Sequence, residues 1–360
     1  MLAFPPVRVL VLDAGDRTPY LSRLVLRLQA MGVEMHYAGD PRWKDLDALR
    51  AAGVGAHPVQ VRHKLDLPTR WRLRRLLKEH GIDVLHTITG RDAYVGIKAR
   101  GRLPVKVLSR RGAYAPISRF DPADWVVYGR RGADRFVVVS EDLRRHMVGQ
   151  GLAADRIEAV YTGIWSEELR PVPRDLRAEC GVAPGTLLVA FVGNLRPVKG
   201  FDHFVEALAL ARARGVDVHA VVAGEGYEGE EAALVARGLR DRVTFLGLVP
   251  DIMSVTPHAD ALVLTSRIDA LPRAAIEATV VGTPVIATRV GGLPEILDGG
   301  RGGVLTDPAD PGSLAVALEE AARDRDALRA LAAHARERNR ALFSVDGCAR
   351  RHVEIYNELR

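Results

Sequence analysis

The apolar positions of this chain form two series of short runs, and segments with helical periodicity separate the runs within each series. The runs do not alternate between apolar and polar residues, which is typical of strands covered on both faces of a parallel sheet. Strands that alternate with helices predict a doubly wound α/β fold, and here the pattern is made twice. The first series comprises VRVLVL (7–12), VEMHY (33–37), VGAHPV (54–59), DVLH (83–86), VKVLS (105–109) and RFVVVS (135–140). The second comprises LLVAFVG (187–193), VHAVVAG (218–224), RVTFLG (242–247), ALVLTS (261–266), PVIAT (284–288) and GVLT (303–306).

The segment 167–184 separates the two series and contains three prolines, which is typical of a linker between domains. A last helical pattern follows Phe343. We therefore predict an N-terminal domain at 1–168, a second domain at 169–343 and a C-terminal helix at 344–360. The periodicity leaves open which domain this helix packs against.

Composition excludes several classes of protein. Apolar residues make up 48% of the 360 residues and charged residues 27%, which is ordinary for globular proteins and excludes disordered and collagen-like chains. No run approaches the ~20 apolar residues that span a bilayer, and the opening run 7–12 is too short for a signal peptide. Two distant cysteines, Cys180 and Cys348, fit a reducing compartment. We expect a cytoplasmic protein, and a location at the inner face of the cell membrane stays open.

The net charge of +6 is unevenly distributed along the chain. Residues 1–170 hold 29 Lys/Arg against 19 Asp/Glu, a balance of +10, whereas residues 171–360 hold 22 against 26, a balance of −4. A basic half favours phosphate, nucleic acid or an anionic membrane as a partner. Aromatic residues at 6% and the lack of a recognition motif argue against nucleic acid. The basic helix at 70–80 either docks on anionic lipid or covers the sheet with a solvated face, so peripheral membrane contact stays open.

The segment 191–210 has the pattern of a phosphate site. A buried strand ends at Gly193, a loop carries Arg196 and Lys199, and an amphipathic helix follows Gly200. Two cations beside a helix N-terminus attract a diphosphate, because the free backbone amides and the helix dipole add to the side-chain charges. A solvated basic turn is the alternative, and the strand–loop–helix context favours phosphate.

The segment 265–297 places two carboxylates around a helix start. Asp269 follows the strand ALVLTS, Pro272 suits the first helical position, and Glu277 lies just over one turn further on. Carboxylates bind sugar hydroxyls well, and the amides of Ala270 and Leu271 would point away from the helix start. Taken alone, Asp269 is better explained as a residue that caps its own helix.

No metal site emerges from the sequence. The pairs Asp45/Asp47 and Asp324/Asp326 lie in charged helical stretches rather than at strand ends, and the histidines show no ligand spacing. We expect no metal and no cofactor beyond a co-substrate.

The motifs of the second half, taken in order, resemble those of the retaining glycosyltransferases of family four. They are FVGNLRPVKG, then VAGEG, then a carboxylate separated by seven residues from Glu277 across LPRAAIE, then GTPVIAT-R-VGGLPEI. The resemblance is dense from Leu187 to Leu305 and looser before residue 187. It implies the GT-B architecture, in which two Rossmann-like domains face a central cleft. The donor nucleotide sugar would bind the C-terminal domain and the acceptor the N-terminal one, with the last helix crossing back to the N-terminal domain.

Carried over position by position, the resemblance assigns roles to the candidate residues. Arg196 and Lys199 would bind the donor diphosphate, Glu277 the ribose, and Asp269 the transferred sugar. Arg196, Lys199 and Asp269 would be catalytic, and cations would replace a metal at the leaving group. The remaining donor-binding positions are Gly15, Gly193, Ala270 and Leu271, and the segment 245–249 would line the base pocket.

Three segments of the chain depart from the family pattern. Asp269 stands where the family has Glu, and Ala270 where it usually has Gly, which indicates a different contact to the donor sugar. The first loop reads AGDRT, with one glycine instead of a pair. Arg110 and Arg111 stand where a His is frequent, and a guanidinium there would bind an anionic acceptor or the leaving phosphate. His86 is the remaining candidate on the acceptor side, with a packed residue at the edge of the cleft as the alternative.

We therefore predict a metal-independent, retaining glycosyltransferase that acts in lipopolysaccharide or other cell-surface glycan synthesis. Its partners would be a nucleotide sugar such as a UDP-sugar and an anionic glycan or lipid-linked acceptor. The alternatives are a nucleotide-sugar epimerase of the same architecture and a non-catalytic protein that binds sugar nucleotides or glycans.

Overall fold

A computed structural model of the chain describes residues 6–14, 20–43, 45–118 and 120–360. The chain divides into two compact units. Unit 1 consists of Met1–Gly163 and Val345–Arg360, and unit 2 consists of Ile164–Ser344. Within the described ranges, no helix is long and apolar enough to cross a membrane.

Unit 1 is built on a seven-stranded parallel sheet with the strand order β3-β2-β1-β4-β5-β6-β7. The order reverses between β1 and β4, and ligands of open α/β sheets bind at the carboxyl ends of the strands at such a point. The strands are β1 (Arg8–Asp13), β2 (Glu34–Gly39), β3 (Gly55–Pro58), β4 (Val84–Thr87), β5 (Lys106–Arg111), β6 (Arg135–Val138) and β7 (Ile157–Ala159). The first six correspond to the predicted runs.

In the described part of unit 1, seven helices cover this sheet. Six connect the strands: α1 (Leu21–Ala30), α2 (Asp45–Ala51), α3 (Leu67–Glu79), α4 (Gly90–Arg100), α5 (Pro122–Tyr128) and α6 (Glu141–Gly149). The seventh is the C-terminal helix α14 (Val345–Leu359), which packs against α1, where Arg27 Nε lies 2.6 Å from Asp346 Oδ1. Its buried positions recur every three to four residues, so one apolar face of α14 completes the core of unit 1.

The helices α3, α4, α5 and α6 of unit 1 begin with side-chain caps. Thr89 starts α4 with a reciprocal capping box, in which its hydroxyl accepts from the Asp92 amide at 3.2 Å while Asp92 accepts from the Thr89 amide at 3.0 Å. The Ser140 hydroxyl caps α6 by accepting a hydrogen bond from the Leu143 amide. These caps fix where each loop ends, and thereby fix the edge of the sheet at which the candidate acceptor residues lie.

Unit 2 contains a six-stranded parallel sheet with the order β10-β9-β8-β11-β12-β13. The strands are β8 (Leu187–Val192), β9 (Val218–Ala223), β10 (Val243–Gly247), β11 (Ala261–Leu264), β12 (Val285–Thr288) and β13 (Val304–Thr306). The helices are α7 (Leu176–Glu179), α8 (Phe201–Ala213), α9 (Glu231–Ala236), α10 (Arg273–Val281), α11 (Leu293–Ile296), α12 (Pro311–Arg323) and α13 (Arg325–Leu342). The predicted α/β class, with two doubly wound parallel sheets, is confirmed.

The core of unit 2 centres on β8 and α8. Phe191 of β8 and Phe204 of α8 are almost fully buried, with ring centroids 5.0 Å apart. Their packing fixes α8 against the sheet, and therefore fixes the loop between β8 and α8 that carries Arg196 and Lys199.

Candidate functional site

The loop after β8 in unit 2 is held by glycine geometry at its end. Pro197–Lys199 form a 3₁₀ turn, and Gly200 follows with a left-handed backbone (φ 66°) immediately before α8. A Cβ atom at position 200 would lie 2.1 Å from the Thr265 carbonyl oxygen, so only glycine fits there. Thr265 Oγ1 also donates to the carbonyls of Lys199 and Gly200, at 3.0 and 2.8 Å. The end of β11 therefore supports the lysine-bearing loop directly.

Lys199 and Asp269 form an ion pair, with Nζ and Oδ2 2.8 Å apart, although 70 residues separate them in sequence. Their side chains are 27% and 16% exposed, so the pair lies at the protein surface but is partly shielded from water. Arg196 precedes the 3₁₀ turn with an exposed side chain, and no carboxylate in the described ranges pairs with it. One cation of the loop is thus neutralised by Asp269 and the other stays available.

A second turn lies beside the pair. The Gly292 amide donates to the Asp269 carbonyl at 3.1 Å, and a Cβ atom at position 292 would lie 2.4 Å from the Ala270 carbonyl oxygen. Within the described part of the chain, the amides of Ala270 and Leu271 donate to no protein acceptor. Both amides precede α10, whose first residue is Arg273, so they add unsatisfied donors near Asp269.

Glu277 lies on the first turns of α10. Its side chain is 15% exposed, and its Oε1 accepts from Arg273 at 2.8 Å, four residues earlier. Each of the two predicted carboxylates is therefore paired with a cation that a ligand would have to share or replace.

A cavity of about 440 Å³ opens at the carboxyl ends of β9 and β10. Phe245 and Gly247, from the segment 245–249 predicted to hold the base, belong to its lining together with Gly224 and Tyr227. Tyr227 stacks on Phe245 with ring centroids 5.4 Å apart and donates its hydroxyl to the Gly193 carbonyl at 2.6 Å. Burial raises the pKa of Tyr227, which keeps the phenol protonated as a donor.

Sequence reasoning missed Tyr227. The signal for it is its place directly after the motif VAGEG, where a ring at a strand end can reach the neighbouring loop. Its hydroxyl links the cavity to Gly193, so the predicted diphosphate loop and the predicted base pocket are joined by one side chain.

Unit 1 has its own cavity, of about 490 Å³, at the carboxyl ends of β4 and β5. Arg110 and Arg111 line it, together with Thr89 and Gly90 at the start of α4. The Arg111 guanidinium donates to the Ala113 and Ala115 carbonyls and to the Tyr128 hydroxyl, and it lies over the Tyr128 ring. Arg111 therefore holds the loop after β5.

Arg110 lies over the Tyr20 ring, with its Cζ atom 5.4 Å from the ring centroid. A cation over an aromatic face keeps its full charge, because the ring attracts it without neutralising it. Arg110 therefore gives this cavity a positive charge beside the N-terminus of α4.

His86 is buried in the core of unit 1, with 1% of its surface exposed. Its Nδ1 atom lies 2.8 Å from the hydroxyl of Tyr356 on α14, and its Nε2 atom has no partner among the described residues. Burial, His352 and Arg110 lower the pKa of His86 well below its usual range, so the ring is neutral. His86 thus contacts α14, and its role on the acceptor side stays a prediction. Gly15, the other unit 1 candidate, lies outside the described residues.

The acidic pairs that the sequence analysis sets aside lie at helix starts. Asp45 and Asp47 belong to the first turn of α2, and Asp324 caps α13 through the Ala327 amide. Although the histidines lack ligand spacing in sequence, the structure brings His36, His57 and His80 of unit 1 together, with one nitrogen of each lying within 4.8 Å of the others.

Comparisons with known proteins agree with this architecture. The family model "Glycosyltransferase Family 4" matches residues 19–168, and "Glycosyl transferases group 1" matches residues 174–338. The D-inositol 3-phosphate glycosyltransferase of Nocardia farcinica is 29% identical over 361 residues, covering 88% of this chain and 79% of that protein. The structure of HepE from Anabaena in complex with UDP superposes with a TM-score of 0.82 at 20% identity, covering 98% of this chain and 100% of HepE.

A glycosyltransferase from Rickettsia africae gives the same TM-score of 0.82 at 17% identity, with 99% of each chain covered. Likeness at these identities shows the shared GT-B fold, as the sequence motifs predict. Because the two family models together account for most of residues 19–338, this chain belongs to the group 1 glycosyltransferases of family four.

Proposed function

We propose that this glycosyltransferase moves a sugar, with retention of anomeric configuration, from a nucleoside diphosphate to a hydroxyl of an anionic acceptor. The observation that carries the proposal is the 2.8 Å pair of Lys199 and Asp269, beside the unengaged amides of Ala270 and Leu271. HepE, of the same fold, is named as a complex with UDP and as a complex with UDP-glucose, which supports a UDP-sugar as donor.

The ion pair of Lys199 and Asp269 favours an exchange, in which the donor diphosphate replaces the Asp269 carboxylate at Lys199. In the free protein the Asp269 carboxylate occupies the Lys199 ammonium, and a donor diphosphate offers that ammonium a more highly charged partner. Lys199 then turns to the phosphate, while Arg196 adds a second cation. Asp269, released from the ammonium, accepts hydrogen bonds from hydroxyls of the sugar.

The rest of the donor fits residues of unit 2. The ribose hydroxyls would donate to Glu277, in competition with Arg273. The base would enter the cavity beside Phe245 and Tyr227. The Tyr227 bond to Gly193 would then couple the position of the base to the position of the diphosphate loop.

The chemistry is a substitution at the anomeric carbon. The bond from this carbon to the diphosphate oxygen breaks, and a bond to the acceptor oxygen forms on the same face, while the proton of the acceptor hydroxyl passes to the leaving diphosphate oxygen. Negative charge grows on the leaving diphosphate, where Lys199, Arg196 and the amides of Ala270 and Leu271 stabilise it. We propose that these groups serve in place of a divalent cation, so turnover should persist when a chelator is present.

The acceptor side of the proposal rests on Arg110 and the start of α4 in unit 1. Among the described residues the Arg110 guanidinium has no carboxylate partner, and it lies beside a helix N-terminus. Both features favour an anion. The relatives of this chain from Nocardia and Mycobacterium are named for D-inositol 3-phosphate, itself an anionic acceptor. We propose a phosphorylated or otherwise anionic acceptor used in cell-surface glycan synthesis, such as that of lipopolysaccharide.

An exposed surface of unit 1 supports a location at an anionic membrane. Five large apolar side chains are more than half exposed there, and the ion pair between Lys64 and Asp121 (3.8 Å) links the two segments that carry them. Arg62, Arg72 and Lys78 are exposed on the same stretch of chain. Rings and leucines interleaved with cations are typical of surfaces that insert shallowly among anionic headgroups. The five are Leu65, Leu67, Trp71, Phe120 and Trp125.

Donor binding and transfer test the exchange directly. Nucleoside diphosphates and their sugars are first screened by calorimetry on the native chain, and labelled donors are then assayed with anionic acceptors in a chelating buffer. In Asp269→Asn, which removes the competing carboxylate, we expect the nucleoside diphosphate to bind a few-fold more tightly while sugar transfer falls.

One control variant and three possible outcomes separate the alternatives. Asp298→Asn alters another paired carboxylate of unit 2, far from the loop in sequence, and should leave diphosphate affinity unchanged. Unchanged transfer in Asp269→Asn would contradict the role of Asp269. Release of an epimerised donor with no acceptor would support an epimerase, and donor binding without turnover a non-catalytic binding protein.

Vesicle sedimentation tests the membrane contact. The native chain should sediment with vesicles of mixed anionic and neutral phospholipid and stay in solution with neutral vesicles. The double variant Trp71→Ser/Trp125→Ser should lose most of this binding, whereas Val316→Ser, an exposed apolar residue of unit 2, should keep it. Equal sedimentation of the double variant would contradict the proposed surface.

A further inference from the structure

Three histidines meet at the β2–β3 side of the sheet in unit 1. His36 is the third residue of β2 and His57 the third residue of β3, and parallel pairing places His36 opposite Gly55. His80 follows the last residue of α3 as its C-cap. The ring centroids of His80 lie 4.5 Å from His36 and 4.9 Å from His57. Side chains from two strands and one helix end thus converge on one point.

Gly55 makes room for this arrangement. A Cβ atom at position 55 would lie 2.3 Å from His36 Nδ1, so any other residue there would displace the ring. The absence of a side chain at position 55 lets His36 turn its Nδ1 atom towards His57 on the next strand. The two nitrogens, His36 Nδ1 and His57 Nε2, are 3.3 Å apart.

That separation matches the ligand spacing of a tetrahedral metal site. Zinc binds imidazole nitrogen at 2.0–2.1 Å, and two ligands of a tetrahedron with such bonds lie about 3.3 Å apart. One nitrogen of each of the three rings lies within 4.8 Å of the others, so the third ring is near enough to complete the set by a small movement. His36 is buried and the other two are half-buried, which leaves a path for an ion and a water.

Some of the groups around the three rings favour the binding of a cation, and others oppose it. Burial lowers the pKa of His36, and it lowers that of His57 to about 4. Glu34 Oε1 lies 3.6 Å from the other ring nitrogen of His36, where a carboxylate orients a metal-binding imidazole. Arg8, Arg50 and Arg72 oppose a cation, but Arg8 and Arg50 are paired with Asp83 and Asp47.

We infer that His36, His57 and His80 form a binding site for a divalent transition metal, with Zn²⁺ as the preferred ion. Imidazole ligands suit zinc and its neighbours in the first transition row and do not suit Mg²⁺ or Ca²⁺. Three protein ligands leave the fourth position to water. The ion ties the edge strand β3 to β2 and to the end of α3. All three ligands belong to unit 1, whereas Arg196, Lys199, Asp269 and Glu277 belong to unit 2. None of the three histidines lines the unit 1 cavity at Arg110 and Arg111, so we expect sugar transfer to proceed without the ion.

Calorimetry and optical spectroscopy test the site on the full chain. The protein is purified without a histidine tag, stripped with a chelator, dialysed free of it, and titrated with ZnCl₂. We expect one Zn²⁺ per chain, an increase in the unfolding temperature on binding, and visible d–d bands with Co²⁺ as the probe. MgCl₂ should produce neither heat nor stabilisation.

Ligand variants decide the assignment. His57→Gln and His80→Gln should each weaken Zn²⁺ binding by at least about 100-fold, beyond the 10–100-fold effect of losing a neighbouring hydrogen-bond partner. His63→Gln changes an exposed histidine of the same unit and should bind Zn²⁺ like the native chain. Circular dichroism of the metal-free variants checks that they are folded, and His80→Gln, at a half-buried helix end, is the variant that best tolerates the change.

Two results would overturn the inference. One is a native chain that binds no stoichiometric Zn²⁺, and the other is Zn²⁺ binding that survives in both His57→Gln and His80→Gln. Sugar transfer by the metal-free native chain is measured in parallel. Loss of Zn²⁺ binding with transfer intact separates the fate of this site from that of the proposed function.

Discussion

The two units hold their cations at the carboxyl ends of the strands in different ways. In unit 2, Lys199 and Arg273 are paired with Asp269 and Glu277. In unit 1, Arg110 and Arg111 lie over the rings of Tyr20 and Tyr128, and Arg111 also donates to backbone carbonyls. A carboxylate partner can be exchanged for a phosphate, whereas a ring or a carbonyl leaves the positive charge in place. The cations of unit 2 are therefore suited to bind an anion reversibly. Those of unit 1 are suited to attract anions permanently.

The units also differ in their buried histidines, and acid should therefore affect unit 1 more. Burial lowers the pKa of His36 and His86, and lowers those of His57 and His352 to about 4, whereas in unit 2 it lowers that of His219. Between about pH 6.5 and 4 the unfolded chain binds protons that folded unit 1 does not, so its free energy of unfolding should fall steeply as pH drops through this range.

Urea unfolding at about pH 7.5 and pH 5, followed by tryptophan fluorescence, measures this difference, because Trp43, Trp71 and Trp125 report on unit 1 and Trp165 on unit 2. Asp92 acts in the opposite sense. Its pKa is raised to about 7 by burial and Asp13, so the folded carboxyl holds a proton that the unfolded chain releases. In Asp92→Asn, the free energy of unfolding of unit 1 should therefore fall more steeply on acidification. An equal fall in the two units would contradict the expected difference between them.

Lys199→Ala tests the exchangeable cation of unit 2. We expect nucleoside diphosphate binding to weaken by roughly 1.5–3 kcal/mol, or about 10- to 150-fold, the range for hydrogen bonds to charged groups. Arg196→Ala should show a loss in the same range. Calorimetry with UDP measures the effect, and Arg214→Ala, at a surface pair with Glu319, is the control. Unchanged affinity in both loop variants would mean that the loop is only a solvated turn.

Glu277→Gln tests the second paired carboxylate. The native chain should prefer UDP over 2′-deoxy-UDP by about 1 kcal/mol, because Glu277 accepts from the ribose hydroxyl, and the variant should lose this preference. Arg273→Ala breaks the same ion pair but keeps the carboxylate, so it should keep the preference. A preference that survives in Glu277→Gln would give Glu277 a structural role alone.

Arg110→Gln tests the standing charge of unit 1 and has the smallest expected effect. At subsaturating acceptor, transfer by the native chain should fall with added salt, which screens charges over ~10 Å at 0.1 M. In the variant we expect a few-fold lower efficiency at low salt and a flatter salt profile. Arg131→Gln removes an equal charge at an exposed position outside the cavity lining and should behave like the native chain. A flat profile in the native chain would favour a neutral acceptor.

The alternation of apolar runs and helices predicts most of this fold, because each βα unit is specified within about 30 residues of sequence. The six runs of each series correspond to β1–β6 and β8–β13. The seventh strand of unit 1, β7, escapes the pattern because it has only three residues at the sheet edge, and just one of them is buried.

The candidate residues of unit 2 were predictable because each lies in a continuous motif. Lys199 and Asp269 follow adjacent strands, β8 and β11, so parallel pairing brings their loops together. The histidine cluster of unit 1 was not predictable in this way. His36, His57 and His80 are spaced by 21 and 23 residues, and only the β2–β3 register and the end point of α3 bring them into contact. The Tyr356 contact of His86 depends on a helix 270 residues further along the chain.

The split of unit 1 across the chain has a consequence for its synthesis. A ribosome that has made Gly163 must add the 181 residues from Ile164 to Ser344 before α14 exists. At 5–20 residues per second this takes about 10–40 s. During that time the part of unit 1 that Tyr356 later contacts, which includes the His86 ring, lacks the packing of α14. Unit 2, in contrast, emerges as one uninterrupted stretch of chain. A nascent chain should therefore need protection at unit 1, and a stop codon before α14 should yield a chain in which unit 2 alone can mature.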